Sequence, residues 1–146
     1  MNTARADCDG EPTLLVMKGI EEFNRGEFYE QHVALETAWR AEPRPVRKLY
    51  QGILQIGVAC YHLERGNRTG ALHLLERGLR KLRPFAPVCL GIDVARLIAD
   101  AERLHVQTQS VGPDHLVQLD RALFPRIILI DSIDKSPIPT RNSTPR

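Results

Sequence analysis

The sequence has few of the features that would assign a function at once. Only 5% of its 146 residues are aromatic, and its three cysteines, Cys8, Cys60 and Cys89, show no metal-binding or redox spacing. The formal net charge is +2, which is too small to favour nucleic acid as a partner. No basic-then-apolar leader opens the chain, and no apolar run approaches the roughly 20 residues that a membrane span needs. These absences predict a protein of the reducing cytoplasm, without a membrane segment and with Cys60 as a small core residue.

The cations are spread along the chain except for one group, Arg77, Arg80, Lys81 and Arg83. These four residues fall in the last turns of a predicted helix. Lysine and arginine at that end face the negative pole of the helix dipole. From the sequence alone, these four cations are therefore interpreted as residues that stabilise the carboxyl end of the helix.

Apolar residues recur at spacings of three and four in several segments, which predicts amphipathic helices. Prolines and glycines separate these segments. The predicted helices cover about residues 12–25, 27–40, 46–65 and 68–82, a fifth after Asp93, and a short sixth over 114–124. Gly52 and Gly57 lie inside the third helix, where glycine is less stable than alanine. Glycine is often kept in a helix where another backbone comes close, so the two residues predict close packing.

The predicted fold class is all-α, an antiparallel helical bundle of five to six helices in one domain spanning residues 12–130. Residues 1–11 are predicted to be a flexible arm. Residues 131–146, rich in proline, serine and threonine, are predicted to be an extended, disordered tail. The apolar strip Ile127 to Ile130 has no obvious partner strand and is expected to pack along the bundle.

The first four helices form two similar hairpins, related by an offset of 40 residues. Arg25-Gly26 aligns with Arg65-Gly66, and Glu36 aligns with Glu76. Repeat arrays of the tetratricopeptide type usually need three or more units, so a closed bundle of two hairpins is favoured. His32 aligns with Leu72, so the first hairpin has a histidine where the second has an ordinary core residue.

One stripe on the second helix suggests a functional site. At about 100° per residue, His32, Glu36 and Trp39 share one face of the helix. The third helix carries Gln51 and Gln55 at a spacing of four, and an antiparallel arrangement would place them near His32 and Glu36. We therefore predict a polar site between helices two and three.

Three interpretations of this site remain open. A His–Glu–Gln network can be a hydrogen-bonded cluster that only fixes the packing of the helices. His32 and Glu36 can both ligate a divalent metal, with His62 as a weaker third candidate, although zinc prefers three or four protein ligands. Alternatively, Glu36 can orient His32 as a general base while Gln55 positions a substrate. Trp39 is more typical of a core residue than of a ligand platform.

The spacing of His32, Glu36 and Trp39 matches H-x-x-x-E-x-x-[WY], the hallmark of a family known as domain of unknown function (DUF) 309. The sequence resembles this family from about Leu15 to Leu104, including Leu49 to Gln55 and Gly91 to Asp93. The resemblance implies an all-helical bundle and a suspected metal-binding role for the His/Glu motif. The family often has an acidic residue after the histidine, whereas this chain has Val33.

The sequence therefore leads to two functional hypotheses. The first is a cytoplasmic protein with a metal-binding or polar site at His32 and Glu36. If this protein is an enzyme, the reaction that fits such a site best is metal-assisted hydrolysis. The second is a tetratricopeptide-like module that binds a protein or peptide, or a second copy of the chain, with a purely structural His/Glu/Gln network.

Overall fold

The computed structural model of the protein describes residues 7–112, 114 and 119–130. Five α-helices lie within these residues: α1 (Leu14–Asn24), α2 (Phe28–Ala41), α3 (Arg47–Glu64), α4 (Arg68–Leu82) and α5 (Val94–Ser110). Two short strands, β1 (Val88–Cys89) and β2 (Ile92–Asp93), connect α4 to α5. The all-α fold class is thus confirmed. Residues 115–118 of the predicted sixth helix lie outside the described residues, and Arg121–Leu123 form one 3₁₀ turn.

Consecutive helices pack against each other, and α3 lies between α2 and α4. Each helix contributes its apolar stripe to one continuous core, as the sequence periodicity predicts. The largest fully buried side chains come from all five helices and from the β1–β2 region: Ile20, Phe23, Leu35, Leu49, Tyr50, Ile53, Ile56, Leu75, Leu82, Phe85, Ile92 and Leu97. None of the helices in the described part of the chain combines the length and the apolar character that crossing a membrane requires.

The two hairpins turn in the same way. Gly26 follows α1 with φ of +79°, and Gly66 follows α3 with φ of +78°. In each turn the next residue, Glu27 or Asn67, donates its N–H to the carbonyl five residues earlier, at 2.9 and 2.8 Å. This is the Schellman ending of a helix, which glycine permits because it adopts positive φ without strain. The 40-residue offset therefore corresponds to a repeated structural unit.

Helices α3 and α4 approach each other most closely at two glycines. A Cβ atom added to Gly78 would lie 3.0 Å from the carbonyl oxygen of Gly52. A Cβ atom added to Gly52 would lie 2.9 Å from the Leu82 side chain and 3.3 Å from the Gly78 oxygen. The close packing predicted at Gly52 is confirmed, and its partner is the backbone of α4.

The segment after the bundle is paired rather than lying alone along the helices. Ile92 of β2 forms an antiparallel bridge with Leu129, and the N–H of Asp93 donates to the carbonyl of Ile128 at 2.9 Å. The expectation that Ile127 to Ile130 has no strand partner is therefore wrong. The two strands contain two residues each, which is too short for a periodic pattern to predict them.

Two of the three cysteines form a disulfide, between Cys8 and Cys89. No spacing pattern links the two cysteines, since they are 81 residues apart. The predicted flexible arm is described only from residue 7, and there the disulfide and a 2.7 Å hydrogen bond from the Leu90 N–H to the Cys8 carbonyl attach it to the bundle. Cys60 is a buried free thiol, as predicted, and burial raises its pKa. The predicted tail, residues 131–146, lies outside the described residues.

Candidate functional site

His32 and Glu36 lie side by side on the outer face of α2. The Nε2 atom of His32 is 3.3 Å from Oε1 of Glu36, and the two side chains are 39% and 36% exposed. The second carboxylate oxygen of Glu36 accepts from the Arg40 guanidinium, at 2.8 Å from Nη2. The pKa of Glu36 is lowered, mainly by this hydrogen bond from Arg40 and to a smaller degree by the charges of Arg40 and His32. The shared stripe predicted from the sequence is present, and it contains a third charged group.

Trp39 connects the end of α2 to the start of α3. Its indole is half-buried and packs against the core. The guanidinium carbons of Arg40 and Arg47 lie 5.1 and 4.9 Å from the ring centroid, within cation–π range. Arg47 also donates from Nε to the carbonyl of Trp39 at 3.3 Å. These contacts give Trp39 a packing role at the junction of two helices.

The side chain that links α2 to α3 is Gln31, the residue before His32. Gln31 is fully buried, and its amide nitrogen lies 3.1 Å from the carbonyl of Phe28 and 3.3 Å from that of Leu54 on α3. Its oxygen has no hydrogen-bond partner among the described residues. Gly57 makes room for this amide, because a Cβ atom there would lie 2.4 Å from the Gln31 nitrogen. Sequence reasoning missed Gln31, although Gly57 on the buried face of α3 was the available signal.

The other predicted site residues point elsewhere. Gln55 accepts a hydrogen bond from Lys81 of α4 at 3.3 Å, so its amide oxygen faces α4. Gln51 is half-buried with an unpartnered buried oxygen, and His62 contacts Asn67 at the end of α3. Within the described part of the chain, no hydrogen bond joins these residues to His32 or Glu36.

The donor set at His32 and Glu36 provides only part of a metal site. Among the described residues, no three histidine, cysteine, aspartate or glutamate side chains come close enough together to hold an ion. Zinc sites in proteins generally use three or four protein ligands. Arg40 occupies one oxygen of Glu36, and its positive charge opposes a cation at the same carboxylate. The pair can therefore supply at most two of the ligands that a metal ion would need.

A second His–Glu pair lies between α4 and α5. The Nε2 atom of His105 is 2.9 Å from Oε2 of Glu76, and the His105 side chain is only 18% exposed. The hydrogen bond from His105 is the main cause of the lowered pKa of Glu76. The pair borders a groove of about 420 Å³ with Arg83 and Glu102, which are bonded at 2.9 Å. Glu36 and Glu76, which match in the repeat, thus each hold a histidine.

Sequence reasoning did not find this second pair, because His105 comes from a helix outside the two hairpins. Glu76 and His105 are 29 residues apart, and no spacing rule connects them. The matching environment of the two glutamates favours a structural role for Glu36. The pairing of His105 with Glu76 also shows that a histidine can lie beside the repeated glutamate without the motif of α2.

The outer side of α3 and α4 carries four cations that we define as the cationic face: Lys48, Arg77, Arg80 and Lys81. The first three are exposed and make no hydrogen bond, ion pair or ring contact within the described residues, and Lys81 bonds only to Gln55. Burial, and then the charges of Lys48, Arg77 and Arg80, lower the pKa of Lys81. These charges therefore lie near Lys81, and Arg80 also lies close enough to the Glu76 carboxylate for its charge to lower the pKa of that group.

Residues 16–74 match the model of a family described as "Domain of unknown function (DUF309)". These residues are similar to that family. They include the His32, Glu36 and Trp39 motif and extend into α4. The family recognised from the sequence is thus confirmed over this segment.

A relative from Bacillus subtilis (strain 168), named "Uncharacterized protein YpuF", is 34% identical over 89 residues. The match covers 59% of this chain and 51% of the relative, so the chain spans about half the length of the curated relative it matches. Neither description names an activity. The similarity to this relative therefore adds no activity to the resemblance to DUF309.

Proposed function

We propose that this protein is a helical binding module and that the cationic face of α3 and α4 is its docking surface. The observation that carries the proposal is the concentration of cations that form no salt bridge within the described residues. Every other lysine and arginine in the described residues contacts a carboxylate, a carbonyl oxygen or an aromatic ring. Those with a carboxylate partner are Lys18, Arg25, Arg40, Arg44, Arg83, Arg96, Arg103 and Arg121.

The helix dipole does not account for the whole face. Arg80 and Lys81 lie in the last turn of α4, where cations are favourable. Lys48, however, lies in the first turn of α3, beside Arg47, and that turn contains no acidic residue. Cations there face the positive end of the dipole and destabilise the helix. A partner with negative charge explains why they lie on the same surface as the end of α4.

The His32–Glu36–Arg40 group has a structural role in this proposal. Its ion pairs lie within one helix, and the side chains of His32 and Glu36 are partly exposed. The matching glutamate of the second hairpin, Glu76, also pairs with a histidine. The cytoplasmic location predicted from the sequence is kept as part of the proposal. In that compartment the Cys8–Cys89 disulfide is open to reduction.

The proposal is tested by chromatography on immobilised heparin, a polyanion that carries no sequence information. We expect the wild-type protein to elute at higher salt than the Lys48→Gln/Lys81→Gln double variant. Arg65→Gln is the matched control, because it removes one positive charge near the opposite end of α3, about 25 Å away at 1.5 Å per residue. Equal elution of all three proteins, each folded by circular dichroism, contradicts the proposal.

A second candidate function is the binding of a divalent metal by His32 and Glu36. The 3.3 Å separation of Nε2 and Oε1 supports it, because one ion can lie between two such donors. The test is titration of tag-free protein with Zn²⁺, with His32→Ala as the variant and His73→Ala, an exposed histidine of α4, as the control. A one-to-one site lost only in His32→Ala supports the candidate, and identical titrations of all three proteins exclude it.

A further inference from the structure

We propose that the partner of the cationic face is an acidic segment of polypeptide, bound across the outer surface of α3 and α4. This inference rests on the proposed function and names the chemistry of the partner. Lys81 of α4 bonds to Gln55 of α3 at 3.3 Å, and the charges of Lys48 and Arg77 act on it. The close approach of Gly52 to Gly78 holds the two helices together beneath these side chains.

The length of the face fits a short carboxylate-bearing segment. From Lys48 to Gln55 the helix rises about 10 Å, and from Arg77 to Lys81 about 6 Å. Alternate side chains of an extended peptide are about 7 Å apart, and residues one helical turn apart are about 5–6 Å apart. Two or three carboxylates therefore cover the face. A nucleic-acid duplex held through some 6–10 phosphates requires a longer track of cations.

The chemistry of the face also disfavours single-stranded nucleic acid. Proteins that bind single strands stack the bases on exposed aromatic rings. None of the four cations has an aromatic neighbour in contact within the described residues. The half-buried indole of Trp39 already has Arg40 and Arg47 over its ring.

Gln55 adds a feature that suits a peptide. Its amide oxygen accepts from Lys81, which orients the side chain, and its amide nitrogen has no partner in the described part of the chain. An amide N–H donates to a carboxylate or to a peptide carbonyl. The surface thus presents an amide donor beside the positive charges of Lys48 on α3 and of Arg77 and Lys81 on α4. A polypeptide with glutamate or aspartate side chains satisfies both.

The inference is tested by fluorescence anisotropy with a short labelled peptide that alternates glutamate and serine. A peptide with glutamine in place of each glutamate is the neutral control. A DNA duplex, a single-stranded oligonucleotide and vesicles containing phosphatidylserine test the other polyanions. The proteins are the full chain, the Lys48→Gln/Lys81→Gln variant and the Arg65→Gln control.

We expect the acidic peptide to bind and the neutral peptide not to bind. Two removed surface charges should weaken binding by about fivefold or more, and Arg65→Gln should change it by less than about twofold. Binding should weaken as salt is added. Binding of an oligonucleotide or of vesicles without the acidic peptide overturns the partner class while the docking surface stands. No binding of any polyanion by the wild-type protein overturns both.

Discussion

Gly57→Ala should destabilise the protein because of one buried amide. The added Cβ atom would lie 2.4 and 2.5 Å from the nitrogen and carbon of the Gln31 amide. Gln31 has no solvent to move into, since it is fully buried. It must give up its hydrogen bonds to the carbonyls of Phe28 and Leu54, each with a net contribution of about 0.5–1.5 kcal/mol. Forcing a methyl group into a packed core costs about 1–3 kcal/mol in total.

Alanine also stabilises a helix relative to glycine, by about 1 kcal/mol. The net effect of Gly57→Ala should therefore be a loss of up to about 2 kcal/mol in the free energy of unfolding. In a Gln31→Ala background the clash is absent and only the propensity gain remains. There the same substitution should stabilise the protein by about 1 kcal/mol. The sign of the effect thus depends on Gln31.

Urea denaturation of the four proteins of this double-mutant cycle, followed by circular dichroism, measures the effect. The expected coupling is about 1–3 kcal/mol, above the error of such a cycle. Equal effects of Gly57→Ala in both backgrounds would show that Gln31 does not fill the space at Gly57. The reasoning about the interface of α2 and α3 would then be refuted.

Three further predictions concern the disulfide, the cationic face and the second His–Glu pair. Cys8→Ser should lower the stability of the oxidised protein by up to about 4.5 kcal/mol in the chain-entropy model for an 81-residue loop, measured by urea denaturation; equal loss under reducing conditions would contradict it. Lys48→Glu should raise stability by about 0.3–1 kcal/mol, since it places an acidic residue in the first turn of α3; a lower melting temperature would contradict this. The lowered pKa of Glu76 stabilises the fold above its ordinary value of 4.5, and this contribution disappears as the pH falls below it. The stability difference between wild type and Glu76→Gln should therefore shrink on acidification through that range, and His105→Ala should remove most of the pH dependence of the difference; a difference constant with pH would refute this.

Features within one helix could be predicted from the sequence, and contacts between helices could not. The spacing of His32 and Glu36 fixes their proximity once the helix forms, and the structure has them 3.3 Å apart. To predict the neighbour of Gln55, one must know how α3 is rotated about its own axis. Packing against α4 at Gly52 sets that rotation, and so Gln55 bonds to Lys81. Periodicity identifies which face of a helix is buried but not which neighbour covers each part of it.

The disulfide and the paired strip at residues 127–130 were missed for a related reason. Both depend on two-residue strands, and the two cysteines lie 81 residues apart. Single-sequence patterns contain no information at that range. The glycines were more informative, because Gly52 and Gly57 predict a close contact without identifying the residue that makes it.

The repeat gives the strongest argument about which residues are architectural. Two hairpins with the same turn and the same glutamate position should share whatever the fold requires. Glu36 and Glu76 each hold a histidine, although one histidine comes from the same helix and the other from α5. The glutamate environment is therefore common to both units. The unpaired charge is not, since it lies where the start of α3 meets the end of α4. A property that only the second hairpin has, and that destabilises α3 at Lys48, is better explained by a partner than by the fold.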